Sequence, residues 1–225
     1  METLKLYMCL VGCKPLGRHL EQHDIFFGIA TEPARLIPQL EAFWPEAGRI
    51  HLDAWREVTV VDGWQIRIQA RCGIKTDRKG HIATNADVDL NLNMDLPARE
   101  QDLPEGDKNE PEIENTGHKL YFLNLGGYQP GEFEEFHYKV LTVQENPGAA
   151  VARAKADCFF KENTGTHIDD KYGIDVDDLY NVEDILAPEL KSAYKLGFSS
   201  IVDADGVQDE CHIGYTKLSE WAKHL

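Results

Sequence analysis

Lys5-Leu-Tyr-Met-Cys-Leu-Val-Gly-Cys-Lys-Pro-Leu-Gly-Arg-His-Leu-Glu-Gln-His23 and Lys119-Leu-Tyr-Phe-Leu-Asn-Leu-Gly-Gly-Tyr-Gln-Pro-Gly-Glu-Phe-Glu-Glu-Phe-His137 read as two versions of one stretch. Lys5, Leu6, Tyr7, Gly12, Gly17, Glu21 and His23 recur at a constant spacing as Lys119, Leu120, Tyr121, Gly126, Gly131, Glu135 and His137. Pro33 and Ala42 return as Pro147 and Ala156 at the same spacing. After two inserted residues, His51, Asp53, Val60 and Asp62 come back as His167, Asp169, Val176 and Asp178. Self-similarity at a fixed offset is the signature of a repeated unit, so two tandem copies of one small module is the first expectation.

Within each copy the pattern reads β-β-α-β. Residues 4–11 and 119–125 are β-type runs, each followed by a turn rich in Gly and Pro, and residues 24–30 and 138–143 form a second pair of such runs. A helix follows. In copy two, Asn146 is a good N-cap, Pro147 suits the first helical position, and Val151, Ala154, Cys158 and Phe159 mark one face. Copy one offers Leu36, Ile37, Leu40 and Phe43, with Pro38 expected to shorten or kink the helix. Residues 50–61 and 168–182 are the last extended stretches.

Between the copies, Trp64, Ile66, Ile68, Ala70 and Cys72 alternate with polar residues, as do Val88, Leu90, Leu92, Met94 and Leu96. Both runs have period two and flank Asp77-Arg-Lys-Gly80-His81, which predicts a long hairpin with Ile68 opposite Leu90 and Arg71 opposite Asp87. The fold class expected is α+β: a tandem β-β-α-β duplication related by a pseudo-twofold, with that hairpin inserted. The divisions are 1–63 for the first copy, 64–96 for the hairpin, 97–117 for an acidic flexible linker, 118–186 for the second copy and 187–225 for an extension packed on the second copy. Copies of this size have marginal cores alone, so they should bury surface against each other.

The formal net charge of −16 belongs mostly to the linker and the second copy. Such a chain is repelled by phosphate backbones and anionic membranes, so neither nucleic acid nor membrane is an expected partner. Five cysteines without framework spacing and no signal-like N-terminus suggest a reduced cytoplasmic setting.

Polar residues present twice are the candidate site: Glu21, His23, His51 and Asp53 in one copy, Glu135, His137, His167 and Asp169 in the other. Glu-x-His and His-x-Asp in extended chain put both side chains on one side, where a carboxylate can orient an imidazole for proton transfer or support a metal ligand. The same residues can equally tie down turns by hydrogen bonds, and shared descent alone retains them in both copies. No helical His-Glu-x-x-His spacing or zinc-like cysteine spacing accompanies them, so no metal, cofactor or catalytic residue is assigned from sequence. Glu132 stands where a phosphate loop needs lysine, and the aspartates from Asp169 to Asp178 do not match a calcium loop.

The stretches from Gly17 to Gly28, His51 to Val58, Leu123 to His137 and His167 to Asp178 resemble a bacterial domain-of-unknown-function family, number 1543 in its series. The resemblance implies a domain found in one or two copies per chain, and brings no assigned reaction, cofactor or catalytic residue. The leading functional expectation is a non-enzymatic module that binds a small molecule or a protein. The alternative is a small-molecule enzyme, in one form a metal-assisted hydrolase, using the repeated pairs. The two are distinguished by whether His23 meets His137 or His51 in one pocket with their carboxylates.

Overall fold

The computed structural model describes residues 3–71, 117–157, 161–168, 179–201 and 209–221. β1 (Lys5–Cys13) and β2 (Gln22–Ala30) form an antiparallel pair, and β3 (His51–Glu57) joins the other edge of β1. Between β2 and β3 lies α1 (Ile37–Phe43), entered through a 3-10 turn over Pro33–Leu36. Pro38 falls in the first turn of α1, where its missing N–H leaves no hydrogen bond unmade, so the helix starts there and is not kinked. Next, β4 (Val60–Val61) and β5 (Trp64–Ala70) pair across the two-residue turn Asp62-Gly63. Both turn residues are left-handed, with φ of 49° and 78°, as a tight hairpin of this kind requires.

In the second half, β6 (Lys119–Tyr128) pairs with β7 (Glu135–Gln144) and, on its other edge, with β8 (Thr164–Ile168) and β9 (Leu179–Asn181). The helix α2 (Pro147–Lys155) is capped as its sequence predicts: Asn146 Oδ1 accepts a hydrogen bond from Ala149 N at 3.0 Å. Cys158 and Phe159 lie outside the described residues, and Ala150 and Ala154 form the buried side of α2. The chain continues through α3 (Val182–Ile185), α4 (Pro188–Ala193), β10 (Tyr194–Ser200), β11 (His212–Lys217) and α5 (Leu218–Trp221). Sheets with a few short helices make an α+β protein. Among the described residues no helix is long and apolar enough to cross a membrane.

Among the described residues the strands form three sheets: a first with order β11-β3-β1-β2, a small one with order β10-β5-β4, and a second with β7-β6-β8 plus β9. Strand alternation divides each main sheet between two cores. On β1, Leu6 and Met8 face a central core while Tyr7, Cys9 and Val11 face α1. On β6, Leu120 and Phe122 face that same central core while Tyr121, Leu123 and Leu125 pack beneath α2. The two sheets thus share one interior, where Phe27 and Phe122 meet edge to face with ring centroids 5.8 Å apart. Asp62 ties the halves as well. Its Oδ2 accepts hydrogen bonds from Thr142 Oγ1 at 2.5 Å and Val143 N at 3.2 Å on β7.

Two sequence expectations meet a different neighbourhood. β5 is a strand, but its described partners are β10, with Ile68 opposite Leu196, and β4. The arm of the hairpin at 88–96 and the 97–116 part of the linker lie outside the described residues. The extension, expected on the second copy, divides instead. Ala193, Tyr194, Leu196 and Phe198 enter the central core, whereas β11 extends the first sheet beside β3 and Trp221 packs with Leu36 and Leu40. Asp209 anchors that crossing by accepting from Thr59 N at 2.9 Å, Val60 N at 3.3 Å and the Thr59 hydroxyl. β3 presents an unpaired edge that β11 covers, a placement set by backbone pairing and invisible to hydrophobic pattern.

Candidate functional site

The site grows from the register of β1. Gly12 lies opposite His23 on β2 and opposite His51 on β3, so one glycine separates two imidazoles across adjacent strands. Its lack of a side chain is a spatial requirement: a Cβ there would stand 2.3 Å from His51 Nε2 and 2.9 Å from Asp53 Oδ2. Between Leu10 and Val11 the pairing with β3 shifts, because Leu10 faces Ala54 while Val11 faces Leu52. Asp53 is therefore the extra residue of a bulge, a device that re-aims a side chain at a strand edge.

These features bring Glu21, His23, His51 and Asp53 together. His23 Nε2 is 2.9 Å from Asp53 Oδ2 and 3.7 Å from Glu21 Oε2; His51 Nε2 is 3.1 Å from Glu21 Oε1 and 3.4 Å from Asp53 Oδ1. Ligand atoms of Glu21, His23 and His51 all lie within 4.8 Å of one another. Burial is graded: the His51 side chain is 7% exposed, Asp53 is 26% exposed, and Glu21 and His23 open to solvent at 44% each. His51 Nε2 and Asp53 Oδ2 are buried and make no hydrogen bond, close as the opposing groups are. Tyr215 of β11 covers the His51 ring at 4.5 Å.

His23 and Asp53 also line a cleft of about 630 Å³ between the two main sheets. Leu10, Asp24 and Ile25 complete the first wall; Phe122, Asn124, His137, Lys139 and Tyr180 come from the second half. His23 and His137, the repeated histidines, thus face one cavity. Glu135 lies 3.9 Å from His137. Gly126 is opposite both His137 and His167 in the backbone pairing, as Gly12 is opposite His23 and His51. Asp169 lies outside the described residues.

Residue repetition identified Glu21, His23, His51 and Asp53, but it missed Tyr215 and the non-repeated cleft residues. Leu10 and Asn124 carry no chemical signal of their own. Their equivalence by the repeat offset was the available clue. Cys9 belongs to the opposite phase of β1 and is buried in the core beneath α1, and Cys13 is buried at the end of the strand.

Residues 18–68 match the model of a family described as Domain of Unknown Function (DUF1543). That match supports the family that the motifs resemble, falls on one copy, and spans all four converging side chains. Among solved structures, a protein Il1583 from Idiomarina loihiensis is similar at 18% identity with a TM-score of 0.48, covering 96% of this chain and 97% of that one. No curated protein matches the chain.

Proposed function

We propose that this protein binds a small polar molecule in the cleft between its two main sheets, and that the sheets descend from a tandem duplication of one β-β-α-β module arranged about a pseudo-twofold. The observation that carries the reading is the cleft itself. Equivalent positions of both copies, His23 with His137, Ile25 with Lys139, and Leu10 with Asn124, contribute to one cavity. Its lining combines apolar surface from Leu10, Ile25 and Phe122 with a few convergent polar groups, the usual composition of a small-molecule site. Binding to nucleic acid or to an anionic membrane is opposed by the net charge of −16.

A second reading, a small-molecule enzyme, is favoured by one particular observation. His23 Nε2 lies 2.9 Å from Asp53 Oδ2 on the cleft wall, so an imidazole backed by a carboxylate is within reach of a bound molecule. The test of the common element is a thermal-shift screen against small polar metabolites, run in parallel on Leu10→Trp, whose indole fills the cleft. Ligands that raise the melting temperature of the parent protein should have no effect on the variant. Equal responses from both proteins would remove the cleft from consideration. Turnover of a hit by the parent, lost in His23→Gln with binding retained, would select the enzyme reading.

A further inference from the structure

We infer that Glu21, His23 and His51, with Asp53 beside the two imidazoles, form a mononuclear site for a divalent transition-metal ion of the zinc class. This deepens the cleft reading at one wall, and rests on that reading for its accessibility to a small molecule.

Three independent features support it. The first is spacing. Imidazole nitrogen and carboxylate oxygen bind zinc at about 2.0–2.2 Å, so neighbouring ligand atoms of a tetrahedral site stand about 3.3–3.6 Å apart. Glu21 sets Oε1 3.1 Å from His51 Nε2 and Oε2 3.7 Å from His23 Nε2, on either side of that value, and one ligand atom each of Glu21, His23 and His51 lies within 4.8 Å of the others; the Asp53 oxygens stand 2.9 and 3.4 Å from the two imidazoles.

The second is direction. Two ion pairs of the ordinary kind would satisfy His51 and Asp53 by hydrogen bonds aimed at their partners. Instead, the buried His51 Nε2 lies near Glu21 and the buried Asp53 Oδ2 near His23, neither with hydrogen-bond alignment. A buried polar atom left in this state is costly, and a cation held between the groups would satisfy both. His51 is more than nine-tenths buried, so bulk water is a poor substitute partner.

The third is the architecture behind the ligands. Gly12 leaves the space that the His51 ring and the Asp53 carboxylate occupy, and the β-bulge turns Asp53 toward them. Tyr215 covers one face of His51, while His23 and Glu21 remain partly open. A closed inner side with an open outer side leaves room for a further ligand from the cleft. Two imidazoles disfavour magnesium and calcium, which take oxygen ligands, and favour zinc or its neighbours among the transition metals.

The test uses the full chain stripped with a chelator and titrated with Zn2+ alone, followed by competition with a chromophoric chelator. One equivalent should bind with micromolar or tighter affinity and raise the melting temperature, and excess Mg2+ should not displace it. Co2+ should give the intense visible bands of a four-coordinate nitrogen–oxygen site. Losing a mere outer partner of a ligand weakens metal binding about 10–100-fold. His23→Asn, at an exposed position that folding tolerates, should therefore weaken it about a hundredfold or more and bleach the Co2+ bands, with the metal-free melting temperature unchanged. Asp53→Asn should weaken binding in the same direction. Affinity no tighter than millimolar, or full affinity in both variants, would overturn the site. Because no cleft ligand enters this titration, its failure is separate from that of the cleft reading: molecules binding in the cleft without zinc uptake would remove only the metal.

Discussion

The cleft-facing row of the first sheet runs Leu6, Met8, Leu10 and Gly12 on β1, opposite Ile29, Phe27, Ile25 and His23 on β2. The corresponding row of the second sheet runs Leu120, Phe122, Asn124 and Gly126 on β6, opposite Val143, Leu141, Lys139 and His137 on β7. At the inner end the two rows are chemically alike, because both fill one shared core. At the glycine end they again agree. They differ in the middle, where Leu10 and Ile25 of one wall correspond to Asn124 and Lys139 of the other. Packing constrains the inner pairs, and backbone proximity constrains the glycines. Positions facing the open cleft have neither constraint, so they are where two similarly built walls differ: one presents two aliphatic side chains, the other an amide and an ammonium group.

That comparison can be broken most decisively at the point where the walls touch. Phe122→Ala leaves a void against Phe27 in the shared core and should cost about 3–5 kcal/mol in chemical denaturation. The two halves should still unfold in one transition. Two separated transitions in the parent protein would mean that the walls belong to independent domains.

The next effect concerns the first wall alone. Gly12→Ala puts a methyl group into the space of His51 and Asp53, and overpacking of this kind costs about 1–3 kcal/mol. Zinc affinity should fall with it. Retention of full zinc affinity in a folded Gly12→Ala protein would show that the glycine does not shape the site.

A comparable test addresses the tie between the halves. Asp62→Ala removes the acceptor of Thr142 Oγ1 and Val143 N, at about 1–3 kcal/mol for groups left unsatisfied. Asp62→Asn keeps an oxygen acceptor and a residue that tolerates the left-handed turn, so it should lose less. Equal losses in the two variants would place the effect in the lost carboxylate charge, which also faces Arg153 at 3.7 Å, rather than in the cross-sheet bonds.

The smallest effect lies on the reverse side of the first wall. Burial pushes the Cys9 thiol up to about 12. The unfolded thiol ionises near 9.0, so between these values the unfolded state holds fewer protons and stability falls as pH rises. That alkaline slope should diminish in Cys9→Ala. In mild thiol labelling followed by peptide mapping, exposed Cys211 should react while buried Cys9 and Cys13 stay protected.

Much of the scaffold was legible in the residues. Runs of β-type residues beside Gly- and Pro-rich turns placed the paired strands of both halves, and Asn146-Pro147 located the start of α2 to the residue. Pro38 was read as a source of shortening, and its place in the first turn of α1 is the reason it does no harm. The placement of the tail was not legible, since β11 is recruited by the exposed edge of β3 through backbone hydrogen bonds that any sequence can make. The partners of β5 escaped for the same reason: its alternating pattern specifies a strand with two different faces but does not name its neighbour.

The candidate site divides along the same line. The sequence by itself determined which polar residues occur twice, and strand periodicity put Glu21 with His23 and His51 with Asp53 on common sides. Spacing rules for metal motifs found nothing, because those rules describe ligands carried on one local element. Here the ligands come from the two strands flanking β1, nearly thirty residues apart in the chain. Only the tertiary structure could bring them to Gly12, since strand register is a long-range choice set by hydrogen-bond pairing and by which face is buried. The cleft, too, exists only once the two sheets share a core and their outer ends diverge.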